Sequence, residues 1–159
     1  MKRHVHILKS VPRLFVMLLM GMPLSLVQAA TDCNQVTEIP VTECEALLDL
    51  YNQTNGSNWR NNSGWNETNM PCSWGGVWCG GGYVTELSLV GNQLSGPIPE
   101  SLGQLSQLTE LLLYSNQLSG PIPESLGQLS QLNDLELSSN QLSGPIPESL
   151  GQLSQLNDL

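Results

Sequence analysis

The sequence predicts an α/β solenoid that is closed at its N-terminal end by a small cap. The segment PIPESLGQLSQL occurs word for word at residues 97–108, 121–132 and 145–156. Asn92, Asn116 and Asn140 recur at the same period of 24 residues, and a segment rich in Cys and Trp precedes the first unit. A unit this short cannot bury its apolar face alone, so the units are expected to stack on one another.

Residues 1–29 are predicted to be a secretory signal peptide, cut after Ala29 or Ala30. Four basic residues and no acid lie in the first thirteen positions, followed by an almost wholly apolar run from residue 14 to 27. The run is too short for a membrane anchor and contains Pro23. We therefore expect an extracytoplasmic protein that is secreted, periplasmic or at the cell surface, with no transmembrane segment after cleavage.

Cleavage leaves a strongly acidic chain. Arg60 is the only cation that remains against fourteen acids, which gives a formal charge of −13, and both His residues leave with the signal peptide. Nucleic acid binding is excluded because it requires Lys or Arg. Without His or Lys there is no base for nucleophilic catalysis, so we predict a protein that is not an enzyme and needs no cofactor.

All four cysteines lie in the exported part. An even number of cysteines in an oxidising compartment predicts two disulfides. A metal site is not predicted, because the chain has no C-x2-C pair, no His after the signal peptide and no EF-hand loop. Nearness in sequence favours Cys33 with Cys44 and Cys72 with Cys79, while a crossed pairing, especially Cys44 with Cys72, stays open.

Each repeat opens with the frame L-x-x-L-x-L-x-x-N-x-L, and its period of 24 lies in the leucine-rich-repeat range. The alternation around Leu87 and Leu89 predicts a short strand with one buried face. The asparagines that follow are expected to form a structural ladder of side-chain hydrogen bonds to the backbone, at Asn92, Asn116 and Asn140. The second half of each repeat contains GPIP, which predicts extended chain and short helical turns.

The predicted boundaries follow from this frame. The N-terminal cap covers residues 31–83, with a small helix around Leu47 and Leu50 and a hairpin-like segment near CSWGGVWC. The repeats cover residues 84–107, 108–131 and 132–155, and residues 156–159 begin a truncated fourth repeat. The C-terminal repeat face is expected to lack a cap, which would leave little cover for Leu142, Ile146, Leu150 and Leu153.

With the cap and repeats described, the chain resembles the plant-type class of leucine-rich-repeat proteins from about residue 44 to 159. The resemblance rests on Leu-Ser-Gly-Pro-Ile-Pro in every repeat and on Asn58-Trp59, Trp65 and CSWGGVWC in the cap. It implies a right-handed superhelix with a short parallel β-sheet on its concave face and a disulfide-stapled helical cap. The class includes receptor-kinase ectodomains, polygalacturonase-inhibitor-like proteins and bacterial surface proteins.

The resemblance also implies recognition of ligands through the concave face. The corresponding positions are those where the copied repeats differ most, and Tyr114 is the first choice for a contact residue because Tyr is a common interface anchor. The predicted ligand-binding residues are Thr85, Glu86, Ser88 and Val90, then Thr109, Glu110, Leu112 and Tyr114, then Asn133, Asp134, Glu136 and Ser138. Gly91, Ser115 and Ser139 are the last of the predicted solvent-facing positions in the three repeats.

The sequence thus predicts a non-catalytic module that binds a protein or a polysaccharide outside the cytoplasm. A passive structural or adhesive repeat protein stays open as an alternative, because the same positions can simply be solvated. So does a fragment of a receptor-like ectodomain or of a secreted-enzyme inhibitor.

Overall fold

The computed structural model describes residues 30–157. The predicted signal peptide therefore lies outside the described residues. Within this range the chain contains one α-helix, α1 (Val41–Gln53), and seven strands, namely β1 (Val77–Gly80), β2 (Tyr83–Ser88), β3 (Ser95–Pro97), β4 (Glu110–Leu112), β5 (Gln117–Gly120), β6 (Asp134–Glu136) and β7 (Gln141–Leu142).

Helix α1 is the predicted helix of the cap. It extends on both sides of Leu47 and Leu50, around which the helix was predicted. Pro40 precedes its first turn, where the ring restricts the backbone and no hydrogen bond from its nitrogen is needed. Leu47 and Leu50 are fully buried against the repeats. At the C-terminal end, the Thr54 backbone amide and hydroxyl both donate to the Leu50 carbonyl, which ends the helix.

Two disulfides join Cys33 to Cys44 and Cys72 to Cys79. This is the pairing that nearness in sequence favours, and the crossed alternative is not formed. The first bridge ties the chain before α1 to the helix, and the second ties a 3₁₀ helix (Pro71–Ser73) to β1.

Aromatic rings fill the centre of the cap. Trp65 lies between Trp59, whose ring centre is 4.9 Å away, and Trp74, whose ring centre is 5.0 Å away. All three indoles are buried and each has a partner for its N–H, because Trp59 donates to the Thr54 carbonyl, Trp65 to the Gly75 carbonyl and Trp74 to the Thr68 hydroxyl. The cap is therefore a fixed support for the strand that follows it.

Two sheets run along the solenoid. The first has the order β1-β2-β4-β6, with β1 antiparallel to β2 and the other pairs parallel. Strand β2 spans the predicted boundary at Val84 and is shared between the hairpin of the cap and the first repeat. A second parallel sheet, β3-β5-β7, forms from the Leu-Ser-Gly-Pro segments, where extended chain was predicted without pairing.

Short 3₁₀ helices complete each repeat, at Glu100–Gln104, Glu124–Gln128 and Glu148–Gln152. Each follows the second proline of the Pro-Ile-Pro segment, which restricts the backbone before the turn and breaks any longer helix. The leucines of the frame point inward and form one continuous core with the cap.

The isoleucine of the Pro-Ile-Pro segment becomes more exposed from the first repeat to the third. Ile98 is 4% exposed, Ile122 is half-buried and Ile146 is 63% exposed. The expectation of poor cover was wrong for Leu150 and Leu153, which are 5% and 7% exposed. These two leucines belong to the buried core and Leu142 is partly buried against it, whereas Ile146 is exposed as expected.

The asparagine ladder joins the repeats and extends into the cap. The Asn116 side-chain oxygen accepts from the backbone amides of Asn92 and Leu94, and its side-chain nitrogen donates to the carbonyls of Leu89 and Leu113. Asn92 makes the equivalent pair of bonds with the backbone of Asn61 in the cap. The ladder therefore fixes where each strand leaves the concave sheet.

Candidate functional site

The concave face, defined as the outward side of β1, β2, β4 and β6, carries the predicted ligand-binding residues in aligned rows. Glu86, Glu110 and Asp134 are direct partners across neighbouring parallel strands and form the acidic row. The next row is Ser88, Leu112 and Glu136. Backbone hydrogen bonds from Gly91 to Tyr114 and from Ser115 to Ser138 continue this register to a third row, Val90, Tyr114 and Ser138.

The acidic row concentrates negative charge on the sheet. Partial burial, and then the negative charge of the neighbouring Glu110, raise the pKa of Glu86 above its usual value. One carboxyl oxygen of Asp134 is buried and accepts no hydrogen bond within the described part of the chain. Arg60 is the only Lys or Arg between residues 30 and 157, so the protein itself has little positive charge to place against this row.

The row that precedes the acidic row consists of Thr85, Thr109 and Asn133, and its hydrogen bonds join neighbouring strands. The amide and the hydroxyl of Thr109 both donate to the Thr85 carbonyl at 2.8 Å. Asn133 continues the series, since its amide donates to the Thr109 carbonyl at 2.8 Å. The Thr109 hydroxyl therefore helps to hold two neighbouring strands together.

Trp78 is a candidate contact residue that the sequence did not single out. It lies opposite Glu86 in the antiparallel pair of β1 and β2, while its neighbour Val77 lies opposite Leu87 and is buried. Trp78 therefore projects on the same side as the acidic row, and it is 49% exposed. The three other tryptophans of the cap are buried, which sets Trp78 apart.

Val90 and Tyr114 form the apolar part of the third row, and each is 37% exposed. Val90 also lines a cavity of about 90 Å³ at the junction of the cap with the first repeat. We call it the anchor cavity, and its walls are Asn61, Gly75, Gly76, Ser88, Leu89, Val90 and Asn92. The exposed side chains of Val90 and Tyr114 thus lie on the same side of the sheet as the row of carboxylates, and Val90 also borders the cavity.

The glycines beside this cavity allow the cap to approach the sheet closely. Gly76 has a φ of +86°, and a Cβ there would overlap the Ser88 carbonyl. At Gly75 the backbone φ is one that other residues also adopt. A Cβ there would lie 3.0 Å from the side-chain nitrogen of Asn61, which is a tight contact. The sequence contains both glycines in the CSWGGVWC run, but its spacing alone does not indicate that they border a cavity.

Comparison with known proteins agrees with this architecture. The Leucine rich repeat family matches residues 82–142. The Probable inactive receptor kinase RLK902 of Arabidopsis thaliana is 59% identical over 39 residues, which cover 24% of this chain and 6% of the kinase. The chain therefore spans only a small part of that relative's length.

Solved structures with the same fold include ectodomains of plant receptor kinases and a plant ice-binding protein. The ectodomain of SOBIR1 from Arabidopsis thaliana matches with a TM-score of 0.62 and 31% identity, over 76% of this chain and 65% of that one. The ectodomain of GASSHO1/SCHENGEN3 from the same plant, solved in complex with CASPARIAN STRIP INTEGRITY FACTOR 2, matches with a TM-score of 0.64 and 36% identity, over 72% of this chain and 14% of that one.

The fold and the repeats define a leucine-rich-repeat solenoid. Within that class, the chain is similar to the plant-type leucine-rich-repeat proteins, and its structural neighbours include the ectodomains of receptor kinases and a plant ice-binding protein. No helix among residues 30–157 is long and apolar enough to cross a membrane.

Proposed function

We propose that this chain is a non-catalytic recognition module that binds a protein partner outside the cytoplasm through its concave face. The observation that carries the proposal is the exposure of Trp78, Val90 and Tyr114 on the same side as the acidic row. Large aromatic side chains on an exposed sheet face are costly to leave in water and are frequent anchors of protein interfaces.

The similarity to receptor ectodomains supports this proposal. One neighbour of the same fold was solved in complex with CASPARIAN STRIP INTEGRITY FACTOR 2. The two disulfides fit an oxidising compartment, in agreement with the proposed signal peptide of residues 1–29. We also propose the domain boundaries given above, with the cap ending at residue 83, where β2, the strand of the first repeat, begins.

The chemistry of the concave face favours binding over catalysis. Its acids are carboxylates and the phenol of Tyr114, and hydrolysis of a glycoside by carboxyl groups requires a pair of them around an enclosed substrate site. The acidic row lies on an open sheet. Assays of glycoside hydrolysis with the purified protein should show no turnover, and activity that disappears in Glu110→Gln would overturn the non-catalytic assignment.

The proposal is tested by surface substitution on the folded protein. Tyr114→Ala and Trp78→Ala should each abolish retention of partners from the native extracellular fluid, with the near-ultraviolet circular dichroism of the cap retained in Tyr114→Ala. Ile146→Ala, which removes an exposed apolar side chain elsewhere, is the matched control. An unchanged set of retained proteins in both concave variants would instead support a passive structural repeat.

A further inference from the structure

The anchor cavity lies beside the exposed indole of Trp78. Trp78 is the partner of Glu86 across β1 and β2, and Ser88, two residues after Glu86 on the same strand, lines the cavity. Alternate residues of a strand project on the same side, so Ser88, Glu86 and Trp78 face one way. The cavity and an aromatic ring that is 49% exposed are therefore neighbours at the junction of the cap with the first repeat.

Most acceptors in the wall of the cavity already have a hydrogen-bond partner. The Asn61 side-chain oxygen accepts from the amide and the hydroxyl of Ser63, and the Gly76 carbonyl accepts from the Ser88 amide. The other engaged oxygens are the carbonyls of Asn61, Gly75, Leu89 and Asn92 and the side-chain oxygen of Asn92. A ligand group that only donates hydrogen bonds would therefore find few acceptors.

The groups of the wall that lack a partner are donors. Among residues 30–157, no acceptor is found for the amides of Gly76 and Val90, the side-chain nitrogen of Asn61 and the hydroxyl of Ser88. The amides of Leu89 and Gly91 donate to the next repeat at 2.9 and 3.1 Å, so the Val90 amide between them faces the cap. Several donors thus line one small space, and a ligand must supply the acceptor.

The charge of the protein decides which kind of acceptor fits. Residues 31–159 contain fourteen acids against the single cation Arg60, and Glu86 lies one row from the cavity. An anion would be repelled, whereas a neutral carbonyl oxygen accepts from the same donors without that repulsion. The remainder of the wall is apolar at Leu89 and Val90, which suits a carbonyl group that ends in a methyl group.

We propose that the anchor cavity and Trp78 form a binding site for an N-acetylated amino sugar. The acetamido carbonyl accepts from the unpaired donors, the acetyl methyl group lies against Val90, and one face of the pyranose ring packs on the Trp78 indole. This inference deepens the proposed recognition function, because it names the chemistry that a partner presents here. A glycan attached to a protein and a polysaccharide of the same sugar share this chemistry.

The size of the cavity separates this ligand from other sugars. A cavity of about 90 Å³ is several times the roughly 15 Å³ that one water molecule needs, but it is too small for a pyranose ring. Only a substituent of the ring can enter, and the ring itself stays outside, where Trp78 is exposed. A sugar with a hydroxyl group in place of the acetamido group fills less of the cavity and makes no methyl contact.

Saturation-transfer NMR of the purified protein with N-acetylglucosamine, N-acetylgalactosamine and tri-N-acetylchitotriose tests the inference. We expect the acetyl methyl protons to receive the strongest saturation. Tri-N-acetylchitotriose should bind at least about tenfold more tightly than cellotriose, which has hydroxyl groups in place of the acetamido groups, and than chitotriose, whose free amines are cationic. The inference is overturned if none of the N-acetylated sugars binds, or if chitotriose binds as tightly, which would indicate attraction to the carboxylates.

Asn61→Asp tests the donors of the cavity. It keeps a side-chain oxygen for Ser63 and replaces the donor nitrogen with a second oxygen, so affinity for tri-N-acetylchitotriose should fall at least about tenfold. Asn58→Asp makes the same change of charge at an exposed residue outside the cavity and should leave affinity within about twofold. Equal losses in the two variants, with near-ultraviolet circular dichroism retained in both, would overturn the inference.

Gly75→Ala tests the space in the cavity without changing any charge. A Cβ there lies 3.0 Å from the Asn61 side-chain nitrogen, so the new methyl group displaces that donor and narrows the cavity. Affinity for tri-N-acetylchitotriose should fall about tenfold, while the weaker binding of cellotriose should change little. An unchanged affinity for tri-N-acetylchitotriose in Gly75→Ala would contradict the placement of the acetamido group.

Competition with the partners retained from the native extracellular fluid distinguishes the sources of the sugar. Retention that is lost after enzymatic removal of protein-linked glycans identifies a glycoprotein, and retention that is lost only after chitinase treatment identifies a polysaccharide. Loss of partners in Tyr114→Ala without any binding of N-acetylated sugars would overturn this inference and leave concave recognition standing. Sugar binding that Asn61→Asp abolishes, with partners unchanged in Tyr114→Ala and Trp78→Ala, would support the sugar site and overturn the proposed function.

Discussion

Trp78 on β1 lies directly opposite Glu86 on β2, and both side chains project from the concave sheet. Side chains alternate between the two faces of an antiparallel hairpin. Val77 and Leu87, the neighbouring pair, are buried, so Trp78 and Glu86 face the opposite side. The hairpin belongs half to the cap and half to the first repeat. The cap therefore contributes an aromatic side chain to the concave face in addition to closing the core.

Replacing Trp78 by Ala should remove a central contact. We expect the affinity for a concave-face ligand to fall about thirtyfold, as is common for an exposed aromatic anchor. Stability should change little, because about half of the side chain is already in water. Titration calorimetry measures the affinity, and Met70→Ala, an exposed apolar residue of the cap outside the sheet, is the control.

The asparagine ladder should contribute more to stability at Asn116 than at Asn140. The Asn116 side-chain oxygen serves two backbone amides and is buried, whereas that of Asn140 serves the amide of Leu118 alone. Asn116→Ala leaves buried donors unpaired and should lower the free energy of unfolding by about 3 to 5 kcal/mol. Denaturant titration of Asn116→Ala and Asn140→Ala checks the order, and equal losses would contradict it.

Glu43 should make stability depend on pH. Its side chain is 1% exposed, one carboxyl oxygen accepts from the Val84 amide at 2.8 Å, and the other accepts no bond among the described residues. Burial raises the pKa of Glu43 above 4.5, against the opposing effect of the Val84 hydrogen bond. The folded state thus favours the protonated acid, so this contribution to stability is complete at low pH and is lost as pH rises through the raised pKa.

Thermal unfolding between pH 4 and pH 8 measures this effect. Glu43→Gln should flatten the decline in stability, because the amide stays neutral throughout the range. Glu45→Gln changes an exposed carboxyl on the same helix and should leave the profile unaltered. A decline of the same size in Glu43→Gln and in the unaltered protein would assign the pH dependence to other carboxyls.

Removing the disulfide next to the concave face should weaken both folding and the proposed binding. Cys72 and Cys79 are separated by 7 residues, and opening such a loop typically costs about 2 to 3 kcal/mol of stability. Cys72→Ser/Cys79→Ser should therefore lower the unfolding temperature. Since Trp78 is adjacent to Cys79, the affinity for a concave ligand should also fall, whereas Cys33→Ser/Cys44→Ser should affect stability more than affinity.

Much of this architecture follows from the sequence because the repeat is so regular. The period of 24, the leucine frame and the asparagines predict the stack, a short strand in each repeat and the inward side chains, and the resemblance to the plant-type class implies the concave parallel sheet. The second sheet was not predicted, because Ser95-Gly96-Pro97 carries no alternation of apolar residues that indicates a strand. Its pairing arises only when neighbouring repeats are placed side by side.

The candidate site was predicted less completely. The acidic row and Tyr114 follow from the repeat frame, which aligns positions 24 residues apart. Trp78 and the anchor cavity depend on how the hairpin of the cap packs beside the first repeat. In the sequence, Trp78 is indistinguishable from the buried Trp74, since both lie within CSWGGVWC.

Hydroxyl-radical footprinting with a bound partner retained from the native extracellular fluid tests the central claim most directly, since it reports the solvent exposure of individual side chains. The account predicts that Trp78 and Tyr114 become protected when ligand is bound, while Met70 and Ile146 keep the labelling they have in the free protein. Protection of Met70 or Ile146 with unchanged labelling of Trp78 and Tyr114 would contradict recognition through the concave face.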